Sequence, residues 1–130
     1  MTKFPENLKY AKSHEWVQKL DSSFRVGVSN YAAGSMGDVT FVELPEVGDD
    51  VETEDSPCVI ETVKSSEDVI NPIAGEVVAA NEELEDTPEI VNSDCYGKGW
   101  LYEVKAADAS GYDALMSAEE YEKFVASLED

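Results

Sequence analysis

Apolar residues in this chain arrive in short β-rich runs cut by turn residues, and only the C-terminal end departs from that habit. Runs of this kind bury one side as strands, because a helix needs apolar positions three and four apart. His14 to Leu20 alternates, Asp21-Ser22-Ser23 can turn, and Phe24 to Ser29 alternates again, which predicts a hairpin. Asn30 can cap a short helical piece at Tyr31-Ala32-Ala33, with Gly34 and Gly37 to end it. Asp38 to Leu44 reads as a third strand, and Pro45 and Gly48 mark a bend. Cys58 to Val63 and Asp68 to Ile70 flank the polar tip Lys64-Ser65-Ser66, a hairpin with Lys64 at its apex. Gly75 opens another strand, Glu76 to Ala80, and the stretch up to Asn92 is irregular. Tyr96-Gly97-Lys98-Gly99 is a turn, and Trp100 to Lys105 is the last strand.

The end of the chain changes period. Ser110 to Met116 and Ala118 to Leu128 have helical spacing, and Ser117 with Glu120 forms a capping box. Tyr121, Phe124, Val125 and Leu128 make one apolar face, suited to packing on a sheet. A weak echo links the segment from Asp38 to Val51 with that from Gly75 to Leu84. Two such halves joined through the Lys64 hairpin would make a flattened barrel or sandwich. The expectation is a mostly β single domain over residues 1–130, with 110–128 a helical extension.

Charge narrows the function. Against 29 acids stand 9 Lys and Arg, a formal charge of −20. Such a surface repels nucleic-acid phosphates and anionic membranes. It suits solvation, salty surroundings or partners with basic docking faces, and it favours a monomer. Cys58 and Cys95 lie far apart without CxxC spacing, which argues against a zinc site or disulfide scaffold. The chain has no long apolar run, and Met1 to Lys12 lacks a signal core, so a soluble cytoplasmic protein is expected.

Enzyme motifs are missing. His14 is the only histidine, and there is no GxSxG, HExxH, Walker or GxGxxG element. Lys64 stands out because bases are scarce and this one occupies a hairpin tip between small polar residues. An exposed amine there suits acylation by a carboxylic cofactor, which would remove its charge and lengthen its reach. Residue chemistry alone nevertheless favours an unmodified surface lysine.

The chain resembles the H protein of the glycine cleavage system. The resemblance rests on Tyr10-Ala11-Lys12-Ser13-His14-Glu15-Trp16-Val17, Val26-Gly27-Val28-Ser29-Asn30-Tyr31-Ala32 and Gly37-Asp38-Val39-Thr40-Phe41-Val42-Glu43-Leu44-Pro45. It continues through Glu61-Thr62-Val63-Lys64-Ser65-Ser66-Glu67-Asp68-Val69, Pro72-Ile73-Ala74-Gly75-Glu76-Val77, Val91-Asn92-Ser93-Asp94 and Tyr96-Gly97-Lys98-Gly99-Trp100-Leu101. Thr62 and Ser65 stand where the family commonly has Ser and Ala, both small changes.

That resemblance implies a barrel-sandwich hybrid of the biotinyl/lipoyl type, with lipoate held covalently as an amide on Lys64. Glu61 and Gly75 match positions read by the lipoate-attaching enzyme. Ser13, Glu15 and Asp68 would line the resting cleft of the loaded arm, whereas His14 and Trp16 read as structural. The implied role is a non-catalytic shuttle. It takes an aminomethyl group from the P protein (glycine decarboxylase) to the T protein (aminomethyltransferase), and the reduced arm to the L protein (dihydrolipoyl dehydrogenase). No metal is implied. Two other roles fit the same lysine: lipoate relay to other enzymes, or an unmodified acidic adaptor. A 2-oxo acid dehydrogenase lipoyl domain would usually have Asp before its lysine, and a biotin carrier would have methionines around it.

Overall fold

A computed structural model describes residues 4–21, 23–53, 55–106 and 110–129. In chain order its elements are β1 (Lys9–Tyr10), β2 (Glu15–Lys19), β3 (Phe24–Val28), α1 (Asn30–Met36), β4 (Val39–Glu43), β5 (Asp50–Val51), β6 (Cys58–Thr62) and β7 (Ser66–Val69). There follow β8 (Gly75–Ala80), α2 (Glu83–Asp86), α3 (Ile90–Ser93), β9 (Tyr102–Lys105), α4 (Ser110–Asp113) and α5 (Ala118–Glu129). The larger sheet has the order β1-β2-β3-β9-β8-β5, and the smaller β4-β6-β7. Every neighbouring pair is antiparallel. This is the mostly β, two-sheet arrangement expected from alternating runs.

Alternation places the core. Val17, Val26, Val42, Ile60, Val69, Val77 and Val104 are all buried in the main cluster. A second cluster holds Phe4, Leu8, Tyr10, Trp16, Tyr121 and Val125 beneath α5. Strand β2 is therefore buried on both faces, with Val17 in one cluster and Trp16 in the other. Trp16 is core, as read, and its indole N–H donates to the Cys95 carbonyl at 2.9 Å. Its cross-strand partner is Gly27, and a Cβ there would enter the indole ring.

Helix α5 docks through Tyr121, which stacks on Tyr10 with centroids 4.7 Å apart. The capping box is formed: Ser117 N–H donates to Glu120 Oε1 at 2.9 Å, and Glu120 N–H to Ser117 Oγ at 3.2 Å. Tyr121 and Val125 are buried and Phe124 half-buried, but Leu128 stays 50% exposed beyond the docked face.

Several local expectations change. Ser29, not Asn30, caps α1, its Oγ accepting from Ala32 N–H at 3.3 Å. The helix runs through Gly34 and stops at Gly37, whose φ is 87°. The stretch before Asn92 is not irregular: α2 and α3 are single turns whose Leu84 and Val91 drop fully into the core. Helix α4 ends at Asp113, and Met116 instead bridges Tyr10 through two backbone bonds of 2.8 and 2.9 Å. The echo holds for β4 and β8 and then lapses, since Val51 enters a strand and Leu84 a helix.

Candidate functional site

Lys64 lies on the tip Val63–Ser65 between β6 and β7. Thr62 locks that tip. Its Oγ1 accepts from the N–H groups of Lys64 and Ser65, each at 3.1 Å, and its own N–H donates to Ser65 O at 2.8 Å. Either Ser or Thr can supply such an oxygen. Val63 N–H donates to Asp38 O at 3.0 Å, tying the tip to the segment after α1. Lys64 is exposed, and its Cε rests over Gly37.

Beside this tip, at the edge of the smaller sheet formed by β7, is a cleft of about 170 Å³. Ser13, His14 and Glu15 form one wall, and Ala32, Ser35 and Met36 of α1 another. Ile60, Glu67, Asp68 and Val69 supply the third. Glu15 is only 2% exposed. Ser13 Oγ–H donates to its Oε1, and Ile70 N–H donates to its Oε2 at 3.2 Å. Glu15 thus spans from β2 to the end of β7, joining the two sheets. Burial pushes its carboxyl up to about 7, partly offset by those two donors.

The structure brings Ser13, Glu15 and Asp68 to one cleft, and Lys64 to its neighbourhood. Register adds a residue that sequence reading passed over. Glu67 pairs with buried Ile60, whereas Asp68 pairs with Val59 on the other face of β7. Glu67 is therefore the β7 carboxylate on the Ile60 side, and Ser65 Oγ–H donates to its Oε2 at 2.6 Å. Alternation from Val69 inwards was the available signal.

Glu61 and Gly75 are not brought together. Glu61 is exposed on β6, opposite Phe41 and Ser66. Gly75 starts β8 in the other sheet, and a Cβ there would stand 2.5 Å from Lys105 O and from Val104 Cγ1. Close backbone approach alone requires glycine at that position.

His14 is structural in its visible contacts, with φ 78°. Its Nδ1 is 2.7 Å from Tyr121 Oη, which is 2.8 Å from the buried Ser29 Oγ. Burial lowers its pKa from the ordinary histidine value. The network ties α5 to the cap of α1 and hence to a cleft wall.

No group of three or more His, Cys, Asp or Glu suited to a metal ion occurs among the described residues. Among these residues, no helix is long and apolar enough to cross a membrane.

Comparison with known proteins is consistent over nearly the whole chain. The family model for the glycine cleavage H-protein matches residues 8–128. A glycine cleavage system H protein of Alteromonas mediterranea is 53% identical over 126 residues, covering 96% of this chain and 98% of that one. One from Shewanella oneidensis is 51% identical with the same coverage. The crystal structure of a glycine cleavage system H protein from Mycobacterium marinum superposes with a TM-score of 0.85 at 31% identity, covering 97% of this chain and 99% of that one. With its two-sheet fold, its lysine-tipped hairpin and these matches over nearly its full length, this chain belongs to the glycine cleavage H-protein family.

Proposed function

We propose that the chain is a lipoyl carrier of the glycine cleavage system, with lipoate amide-linked to Lys64. The observation that carries this reading is Lys64 itself: an exposed primary amine on a tip locked by Thr62, three residues before Glu67 and four before Asp68, which line a carboxylate-bearing cleft. The side chain is exposed, so an acyl chain fits there without displacing core. A lipoyl group bound there supplies a disulfide on a long tether, able to accept the aminomethyl group and to be reduced.

The chain's own residues hold, shelter and present. Thr62 keeps the attachment point fixed while the side chain swings. Ser13 and Glu15 receive a cationic amine, and a carboxyl poised near neutrality becomes ionised when a cation sits beside it. Asp68 adds a second acid to the wall. Water exclusion in so small a cleft slows hydrolysis of the cargo. Glu61, exposed and three positions before Lys64, is accessible to a lipoate-attaching enzyme, and Gly75 serves that recognition only through the backbone path it permits.

In this reading the chain performs no chemical step. The tethered arm raises the local concentration of cargo at each docked enzyme, the P, T and L proteins in turn. Exposed Val63 and Phe41, at 67% and 46%, give those partners apolar contact among acids. The two free, buried cysteines suit a reducing cytoplasm.

Intact-mass measurement of protein produced with lipoate available tests this. The wild type should carry a lipoyl increment that Lys64→Arg lacks. An unmodified wild type would favour an idle adaptor. Lipoylated protein that fails to support glycine oxidation with the P, T and L proteins, yet donates lipoate elsewhere, would favour relay.

A further inference from the structure

Strand β7 carries an acid where the pattern of its sheet calls for an apolar side chain. Residues paired across an antiparallel sheet share a face. Val42, Ile60 and Glu67 form such a row, from β4 through β6 to β7. Val42 and Ile60 are buried, and so is Val69, two residues further along β7. Glu67 therefore starts from the inner face of an edge strand, yet it is exposed because the cleft opens there. An acid at an inward position breaks the binary pattern and calls for a reason.

The hairpin tip holds this acid. Ser65 N–H donates to Thr62 Oγ1 at 3.1 Å, and Thr62 N–H donates to Ser65 O at 2.8 Å. From that fixed position Ser65 Oγ–H donates to Glu67 Oε2 at 2.6 Å. The bond engages one carboxylate oxygen and leaves the other to receive a ligand. The other titratable groups at the cleft are His14, Glu15 and Asp68, and α1 adds no charged side chain. Glu15 is buried and already accepts from Ser13 and Ile70. Asp68 pairs with Val59 and starts from the outer face. Among the cleft acids, Glu67 thus combines an inward position with exposure.

We propose that Glu67 joins Ser13 and Glu15 in binding the ammonium of the loaded carrier arm, and that it holds the proton on that amine. The proposal rests on the lipoyl-carrier reading. Cargo is lost from an S-aminomethyl group when the nitrogen lone pair forms a C=N bond and the C–S electron pair leaves with sulfur as thiolate. Water then adds to the iminium carbon, and formaldehyde and ammonium depart. A protonated nitrogen has no lone pair to give, so a carboxylate that favours the ammonium protects the cargo. The competing view is that Glu67 only discourages strand pairing along the open β7 edge, as inward charges do.

The test loads the lipoylated chain from labelled glycine with the P protein, removes that enzyme and follows release of labelled formaldehyde between pH 6 and 10. Release should rise with pH to a plateau where the amine is neutral. Glu67→Gln should lower the midpoint by about half a pH unit, the size expected of an exposed ion pair. Release then becomes about threefold faster on the rising limb, while the plateau stays where it was. Glu76→Gln, which removes one exposed carboxylate from β8 in the other sheet, should leave the midpoint in place. Coincident wild-type and Glu67→Gln profiles overturn the proposal, as does an equal shift in Glu76→Gln or a shift in Asp68→Asn alone. A raised plateau with an unmoved midpoint also overturns it, because Glu67 would then only keep water out. A wild type without the lipoyl mass increment overturns the carrier reading and this proposal together, whereas a loaded chain whose profile does not move overturns the role of Glu67 alone.

Discussion

Replacing Glu15 by Gln should flatten the dependence of stability on pH. The Glu15 carboxyl titrates at about 7 in the folded chain, against an ordinary 4.5. Below 4.5 it is protonated in both folded and unfolded states and costs nothing. Between the two values the folded chain binds more protons, so stability falls as pH rises. Above about 7 the full cost of a buried charge is present, roughly 3 kcal/mol for that gap. Gln carries no charge at any pH and loses one of two acceptor oxygens, a constant offset of about 1 kcal/mol. Urea unfolding followed by tryptophan fluorescence at pH 5, 6, 7 and 8, at fixed ionic strength, reads the difference between variant and wild type. Charge repulsion among the other acids cancels in that difference. Relative to its value at pH 5, where about 1 kcal/mol of the cost is already present, it should shift in favour of the variant by about 2.5 kcal/mol at pH 8. A difference constant within ~0.5 kcal/mol across the range would refute the reasoning.

Gly27→Ala drives a methyl into the Trp16 indole on a strand that is buried on both faces, and should cost at least ~2 kcal/mol by chemical denaturation. Burial pushes the Cys58 thiol up to about 12 and that of Cys95 to about 11. A chromogenic disulfide reagent should therefore find neither thiol in the native chain at pH 8 and both in denaturant; fast native labelling would contradict the packing around them.

The hairpins were legible because β-branched runs alternate and polar tips interrupt them. Cys58 to Val63 declared the strand, and the scarcity of bases drew attention to Lys64. The capping box of α5 was equally plain, since Ser117 and Glu120 carry both halves of a reciprocal bond. Single turns such as α2 and α3 were not, because four residues show no period and neither has a side-chain cap. Their existence depends on Leu84 and Val91 finding a hole in a core assembled from elsewhere. The cleft divides in the same way. Lys64 is legible from its place at the hairpin tip, whereas Ser13, Glu15 and Asp68 rest on a resemblance. Glu67 needed the register of β7.

Strand β2 has a mechanical consequence. Because it carries Val17 into one cluster and Trp16 into the other, neither cluster can open alone without exposing a face of the same strand. Its amides should be among the last to exchange with deuterated solvent, in a single cooperative event with those of α5. Glu15 begins that strand, so one wall of the cleft is anchored to the stiffest part of the molecule. All the travel in such a carrier then belongs to the tether, and the berth to which it returns stays still.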